Sequence, residues 1–164
     1  MRAVGPRSGA GGTTTSAPTP IMRLIVPYTK LSPGVREALP DAEFVEMTSD
    51  ASYYKLIKDN WPKGMILVEH DIIASKETIE DLRACPHKWC VVPYRGAKGI
   101  WLDQSLGCTR LGPFGFEFHL ELDGHPFPLE DWRRLDVRIA NLLRAYRIQR
   151  HVHGMSVEHR HEYA

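Results

Sequence analysis

Chemistry is most concentrated in Met65-Ile66-Leu67-Val68-Glu69-His70-Asp71, where four apolar, strand-like residues run straight into two carboxylates flanking an imidazole. Open α/β sheets bind ligands beyond the carboxyl ends of their strands. The two-residue period of an extended chain places Glu69 and Asp71 on one side and His70 on the other. Two neighbouring carboxylates suit one hard divalent cation or its bound waters. The plainer alternative is a strand exit with solvated acids.

Other residues offer chemistry elsewhere in the chain. Between Leu129 and Arg147, Trp132, Leu135, Ile139, Leu142, Leu143 and Tyr146 recur at three- and four-residue steps, the stripe of a long amphipathic helix. Asp136 falls on the edge of that stripe. A carboxylate half-buried beside tryptophan is costly unless paired or functional, so Asp136 is a candidate general base for an acceptor hydroxyl, with a buried arginine pair as the alternative. Arg110, in Leu106-Gly107-Cys108-Thr109-Arg110, is a candidate for contacting a phosphate or an acceptor substrate, or for a surface salt bridge. Cys85, His87, Cys90 and Cys108 together offer a Cys3His zinc set, although the spacing is not that of a standard finger or ribbon. A disulfide or buried thiols are the other readings. The run from His151 to His161 holds four of the eight histidines. If extended, it turns His151 and His153 one way, and likewise His159 and His161; otherwise it is a solvated polar tail.

The elements that must position these residues follow from hydrophobic patterning. Residues 1–21, rich in Gly, Ala, Ser, Thr and Pro with two arginines and no acid, read as a disordered tail. Met22 then opens a single domain over 22–164 and is a possible true start of the chain. Arg23–Tyr28 is a short apolar strand, and Ser32-Pro33 opens a helix to about Leu39. Ala42–Met47 is a second strand. Thr48-Ser49-Asp50 supplies capping side chains for a helix that ends at Pro62 and Gly64. Met65–Val68 is the third strand, Ser75-Lys76-Glu77-Thr78 a capping box for a helix to Cys85, and Trp89–Tyr94 a fourth strand. Ser105–Leu111 reads as a further strand and Phe114–Leu122 as an edge strand or hairpin arm. Strands joined by helical crossovers predict an α/β fold, a mainly parallel sheet with helices on both faces.

Composition excludes several classes. With 164 residues and 43% hydrophobic content the chain supports one ordinary core. The 21 basic residues balance 20 acidic ones, which argues against general nucleic-acid binding. No apolar run approaches the roughly 18–20 residues of a membrane span, and no signal-peptide core is present, so a cytoplasmic protein is expected. Three cysteines argue against a disulfide framework. There is no G-x-G-x-x-G and no G-x-x-x-x-G-K-[ST] loop.

The order of the Leu24-Ile25-Val26-Pro27-Tyr28 strand, a second strand ending near Thr48-Ser49-Asp50, and a third leading into Glu69-x-Asp71 resembles the nucleotide-sugar half of GT-A type glycosyltransferases. With V-E-H-D-I, W-C-V-V-P-Y, S-L-G-C-T-R and the histidine-rich end, residues 22–161 also resemble small glycosyltransferase-like proteins of actinobacteria and their phages. The resemblance implies a reduced GT-A (nucleotide-diphospho-sugar transferase-like) architecture. It also implies a metal-dependent, hexosyltransferase-like activity that moves a sugar from a nucleotide-sugar donor to a hydroxyl acceptor. Pro27, Tyr28 and Thr29 would then border the base, Asp50 would contact base or ribose, and Glu69 and Asp71 would hold Mn2+ or Mg2+ against the diphosphate. His153 or His159 would supply a further metal ligand. Asp131 becomes a rival base to Asp136, since Glu130-Asp131 resembles the acidic pair opening a helix in inverting members; acids in a first helical turn also simply complement the helix dipole. For Asp50 the competing role is a helix N-cap. A non-catalytic nucleotide- or glycan-binding module and a metal-dependent hydrolase are the alternatives.

Overall fold

The computed structural model describes residues 22–96 and 98–160. The expected tail over 1–21 and His161 lie outside the described residues. Strand β1 (Arg23–Tyr28) is followed by the short helix α1 (Val35–Ala38), β2 (Glu43–Glu46), α2 (Ser52–Asn60), β3 (Met65–Val68), the two-residue β4 (Ile72–Ile73) and α3 (Lys76–Ala84). Then come β5 (Trp89–Val91), β6 (Tyr94–Arg95), β7 (Trp101–Leu102), β8 (Cys108–Leu111), α4 (Leu135–Ala145), β9 (Arg150–Val152) and β10 (Glu158–His159).

A six-stranded sheet has the order β2-β1-β3-β8-β5-β9, and β4 with β10 and β6 with β7 form two small antiparallel pairs. The first three strands are parallel, with Ile25 opposite Glu43 and Leu67. Strand β8 runs against both of its neighbours, pairing Cys108 with Val68 and Arg110 with Cys90. Only β9 restores a parallel pairing, to β5.

The expectation of a mainly parallel α/β sheet of reduced GT-A architecture is therefore overturned: among the described residues four of the seven strand pairings are antiparallel. The physical reason is that a central strand buried on both faces reads as an apolar run in either direction. Cys108–Leu111 inserts between β3 and β5, where the sequence pattern had Trp89–Tyr94 continuing a parallel series.

Strand alternation divides the core into two layers. Ile25, Met65, Leu67, Trp89, Val91 and Leu111 face α2 and α4, packing with Ile57, Trp61, Leu135, Ile139 and Leu143. The intervening Leu24, Val26, Ile66, Val68, Cys90 and Cys108 face α1 and α3, against Val35, Ile79 and Leu82. Ser75 caps α3 as its capping sequence requires, its side chain accepting from the Thr78 amide at 3.2 Å.

Two further expectations are corrected. Phe114–Leu122 forms no strand; Phe114, Phe118 and Leu120 are buried because the segment packs unpaired against α2, with Trp61 ringed by Phe114, Phe116 and Phe118 and its indole N–H donating to the Phe116 carbonyl at 3.1 Å. The helix expected from Leu129 starts at Leu135, after Arg134 adopts a left-handed φ of 67° and binds Asp123 at 3.1 Å. Trp132 and Tyr146, assigned to its buried stripe, are 56% and 51% exposed.

Candidate functional site

A cavity of 540 Å3 opens at the carboxyl ends of β1, β2 and β3. The chain leaves β1 for β2 on one side and returns to β3 on the other, so the cavity lies at the switch point of this parallel trio, where strand ends diverge and leave a crevice. Pro27, Tyr28 and Thr29 supply the β1 exit, Met47 to Asp50 the β2 exit, and Glu69, His70 and Asp71 the β3 exit, with Tyr53 and Trp132 completing the wall. Its volume lies within the roughly 300–1,000 Å3 of small-molecule sites.

The two acids meet differently from the extended arrangement read in the sequence. The amide of Ile72 donates to the carbonyl of Glu69 at 3.1 Å, so Glu69–Ile72 is a turn, and the turn brings the two carboxyls into electrostatic contact. Asp71 is fixed by the returning C-terminal segment. Strand β10 pairs with β4, placing His159 opposite Ile72, and His159 Nε2 lies 2.9 Å from Asp71 Oδ2 while Nδ1 lies 3.1 Å from the Arg95 carbonyl. Both ring nitrogens thus face oxygens.

Glu69 is held from beneath. The Tyr94 hydroxyl donates towards its Oε2 at 3.5 Å, the outer limit of a hydrogen bond, and accepts from Ser105 Oγ at 2.7 Å. Gly107 permits this arrangement: a Cβ there would overlap the Tyr94 ring and hydroxyl, and its carbonyl accepts the Glu69 amide at 2.8 Å. Burial, and after it the charges of Asp71 and Asp136, pushes the Glu69 carboxyl up to about 7. Burial and the Glu69 charge raise the Tyr53 and Tyr94 hydroxyls as well.

The other expected site residues separate into those at this cavity and those elsewhere. Asp50 lines it and is not the N-cap of α2: Ala51 occupies that position, and Ser49 and Thr48 hydrogen-bond Ser52 Oγ instead. Asp136 acts electrostatically on Glu69, Tyr53 and Tyr94 from the first turn of α4, where its Oδ1 accepts the Val137 amide at 2.8 Å. Asp131, by contrast, is buried and gripped by Arg133 through Nε at 2.8 Å and Nη2 at 2.6 Å, which holds its carboxyl down at about 2. That makes it a poor base.

Arg110 does not line the cavity. It donates to the carbonyls of Cys85 and His87, so the expected phosphate contact is replaced by a structural one. His153 is also remote from Asp71: its amide donates to Val91, and its ring joins Cys85, Cys90 and His151. The Cys3His set is not assembled either. Cys85 and Cys90 form a disulfide, and Cys108 is a separate buried thiol pushed up to about 12 by burial and by Glu69.

The structure adds residues that the sequence did not single out, chiefly Tyr53, Tyr94, Ser105 and Gly107 around Glu69, and Trp132 as an exposed aromatic wall. Trp132 was readable in part. Pro126 and Pro128 just before it argue for a later helix start than Leu129. The Trp132 amide donates to the Asp50 carbonyl at 3.1 Å, tying this wall to the β2 exit.

Comparison with models of protein families, with curated proteins and with solved structures finds no match to this chain. No helix among the described residues is long and apolar enough to cross a membrane.

Proposed function

We propose that this cavity binds a sugar nucleotide and that the protein transfers the sugar to a hydroxyl acceptor in a metal-dependent reaction. One observation carries the reading: the ends of three parallel strands bring Asp50, Glu69 and Asp71 to one crevice of nucleotide size beside an exposed tryptophan. Trp132 offers a face on which a base can stack, Asp50 an acceptor for ribose hydroxyls, and the β1 exit a close backbone edge.

The acids fit a divalent cation. Asp71 Oδ1 is buried without a hydrogen-bond partner, and Glu69 is a carboxyl whose charge is disfavoured by burial and then by Asp71 and Asp136. Glu69 and Asp71 would hold Mn2+ or Mg2+, with phosphate and water oxygens completing the shell as is usual for Mg2+. The metal would neutralise the diphosphate as it leaves. His159 fixes the Asp71 carboxyl through one oxygen, leaving the other for the ion. Asp136 is the favoured base for the acceptor hydroxyl, because Asp131 is committed to Arg133. We place the reaction in the cytoplasm, where the reducing pool would hold Cys85 and Cys90 as thiols along with Cys108.

The test is thermal unfolding with uridine, guanosine, adenosine and thymidine diphosphates and their sugars, each with and without Mn2+, on wild type and Asp71→Asn. A ligand at 100 times its Kd stabilises by about 2.7 kcal/mol. The expected result is a rise in Tm that needs both nucleotide and metal and is lost in the variant, followed by sugar transfer when an acceptor is supplied. Binding without turnover would make the protein a recognition module, and cleavage of the donor to free sugar with every acceptor tried would make it a hydrolase. No shift with any nucleotide would refute the reading.

A further inference from the structure

On the far side of the sheet from α2 and α4, the end of α3 meets the edge formed by β5 and β9. Cys85 is the residue that closes α3, Cys90 lies in β5, and the parallel register sets His151 of β9 directly opposite Cys90. His153 follows two residues later, on the same side of an extended chain. One ligand atom from each of Cys85, Cys90, His151 and His153 lies within 4.8 Å of all the others. Among the described residues this is the one group of three or more His, Cys, Asp and Glu side chains that converges in this way.

We infer that, with its two cysteines reduced, this corner is a closed tetrahedral zinc site with Cys85, Cys90, His151 and His153 as ligands. Four protein ligands of the Cys2His2 type are the usual composition of a structural zinc centre. Zn–S bonds of about 2.3 Å and Zn–N bonds of about 2.0–2.1 Å require ligand atoms about 3.3–3.8 Å apart, so once the S–S bond is broken the two sulfurs must separate by about 1.7 Å and the ligand atoms, now within 4.8 Å of one another, must draw in around the ion.

Independent features point to an occupant. The Nε2 of His153 is buried without a hydrogen-bond partner, an arrangement that calls for a missing ion or polar group. The surroundings resemble an outer shell. The His87 ring stacks on His151 at 4.6 Å, its carbonyl lies 3.3 Å from Cys90 Sγ, and Arg110 clamps the Cys85 and His87 carbonyls. This gives Arg110 a role that its distance from the phosphate cavity leaves open.

The disulfide and the metal are alternative states of the same two sulfurs. Two thiols of a reductant deliver two electrons and two protons to the Cys85–Cys90 bond, giving two cysteine thiols and an oxidised disulfide of the reductant. Zn2+ then takes both sulfurs as thiolates, releasing two protons, and the centre with two neutral imidazoles carries no net charge. The metal would staple the end of α3 and the edge of β5 to β9, the root of the segment that carries His159 back to Asp71.

The test uses the full chain, reduced with a phosphine and dialysed anaerobically, then titrated with Co2+ and with Zn2+. We expect one Co2+ per chain with the intense visible bands and sulfur charge-transfer absorption of a tetrahedral thiolate site, bleached by one equivalent of Zn2+. Zinc should shield two of the three thiols from alkylation in the native state. Cys90→Ser and His153→Ala should each weaken Co2+ binding by more than the roughly 10–100-fold typical of outer-shell changes. Asp71→Asn, in the other site, should leave these tetrahedral Co2+ bands unchanged. Pale, octahedral-type Co2+ spectra from folded, fully reduced protein, or metal binding unaltered in His153→Ala, would overturn the proposal.

Discussion

Replacing Glu69 by Gln should make the metal-free protein more stable while removing its metal-dependent binding. In the native state the Glu69 carboxyl is pushed from its ordinary 4.5 to about 7, first by burial and then by Asp71 and Asp136. Between these two values the native protein retains a proton that the unfolded chain has lost, so wild-type stability falls as pH rises from about 4.5 to 7 and levels off above. At about 1.36 kcal/mol per tenfold change in proton affinity, the decline amounts to about 3 kcal/mol. Glutamine keeps the shape and can still accept from Tyr94, but it carries no charge. At pH 8 without divalent ions the variant should therefore melt about 6–12 °C above wild type, at 2–4 °C per kcal/mol for a chain of this size. At pH 4.5 the two should nearly coincide. The assay is thermal unfolding in EDTA at half-unit steps from pH 4.5 to 8, repeated with Mn2+, which should restore the alkaline stability of wild type and leave the variant unmoved. Parallel pH profiles, or a variant less stable than wild type at pH 8, would refute the view that burial, together with the charges of Asp71 and Asp136, disfavours the Glu69 carboxylate in the absence of a cation.

The packing beneath Glu69 gives a second prediction: Gly107→Ala forces a Cβ into the Tyr94 ring and should destabilise by about 1–3 kcal/mol in urea unfolding. Combined with Tyr94→Leu its effect should be less than additive. Arg138 is fully buried and donates to the Pro128 carbonyl at 2.6 Å, the Phe127 carbonyl at 3.0 Å and Asp123 at 3.1 Å; Arg138→Ala should lower stability by about 3 kcal/mol, measured by the same unfolding. It should also change Trp132 fluorescence, since that residue sits at the end of the loop that Arg138 holds. Once a donor and acceptor are found, Asp136→Asn should lower kcat by about 100-fold or more with little change in donor affinity. Asp131→Asn should act mainly on Tm, because its carboxyl is already spent on Arg133.

Where local signals determined an element, the sequence was legible. The apolar runs over β1 and β3, and the serine three residues before a threonine at α3, predict the observed elements to within a residue or two. Strand direction was not legible, because Cys108–Leu111 has both faces buried and its residue types are the same whether it runs with or against β3. The Phe114–Leu122 alternation misled for a related reason. Burial on one side of an extended chain produces a period of two, whether the other edge pairs with a strand or the segment merely packs on Trp61.

The C-terminal histidines show why the site was only half legible. Their alternate spacing fixes that His151 and His153 share a side, but which metal-ligating partners they meet depends on the strand beside them. Pairing of β9 with β5 carries His151 and His153 to two cysteines, whereas pairing of β10 with β4 carries His159 to Asp71. One polar run is thus divided between two chemically different environments, soft sulfur at one end and hard oxygen at the other. Zinc at the first should therefore leave the second open to Mn2+ or Mg2+. Both metals titrated together should occupy separate sites, and competition between them for one site would contradict this division.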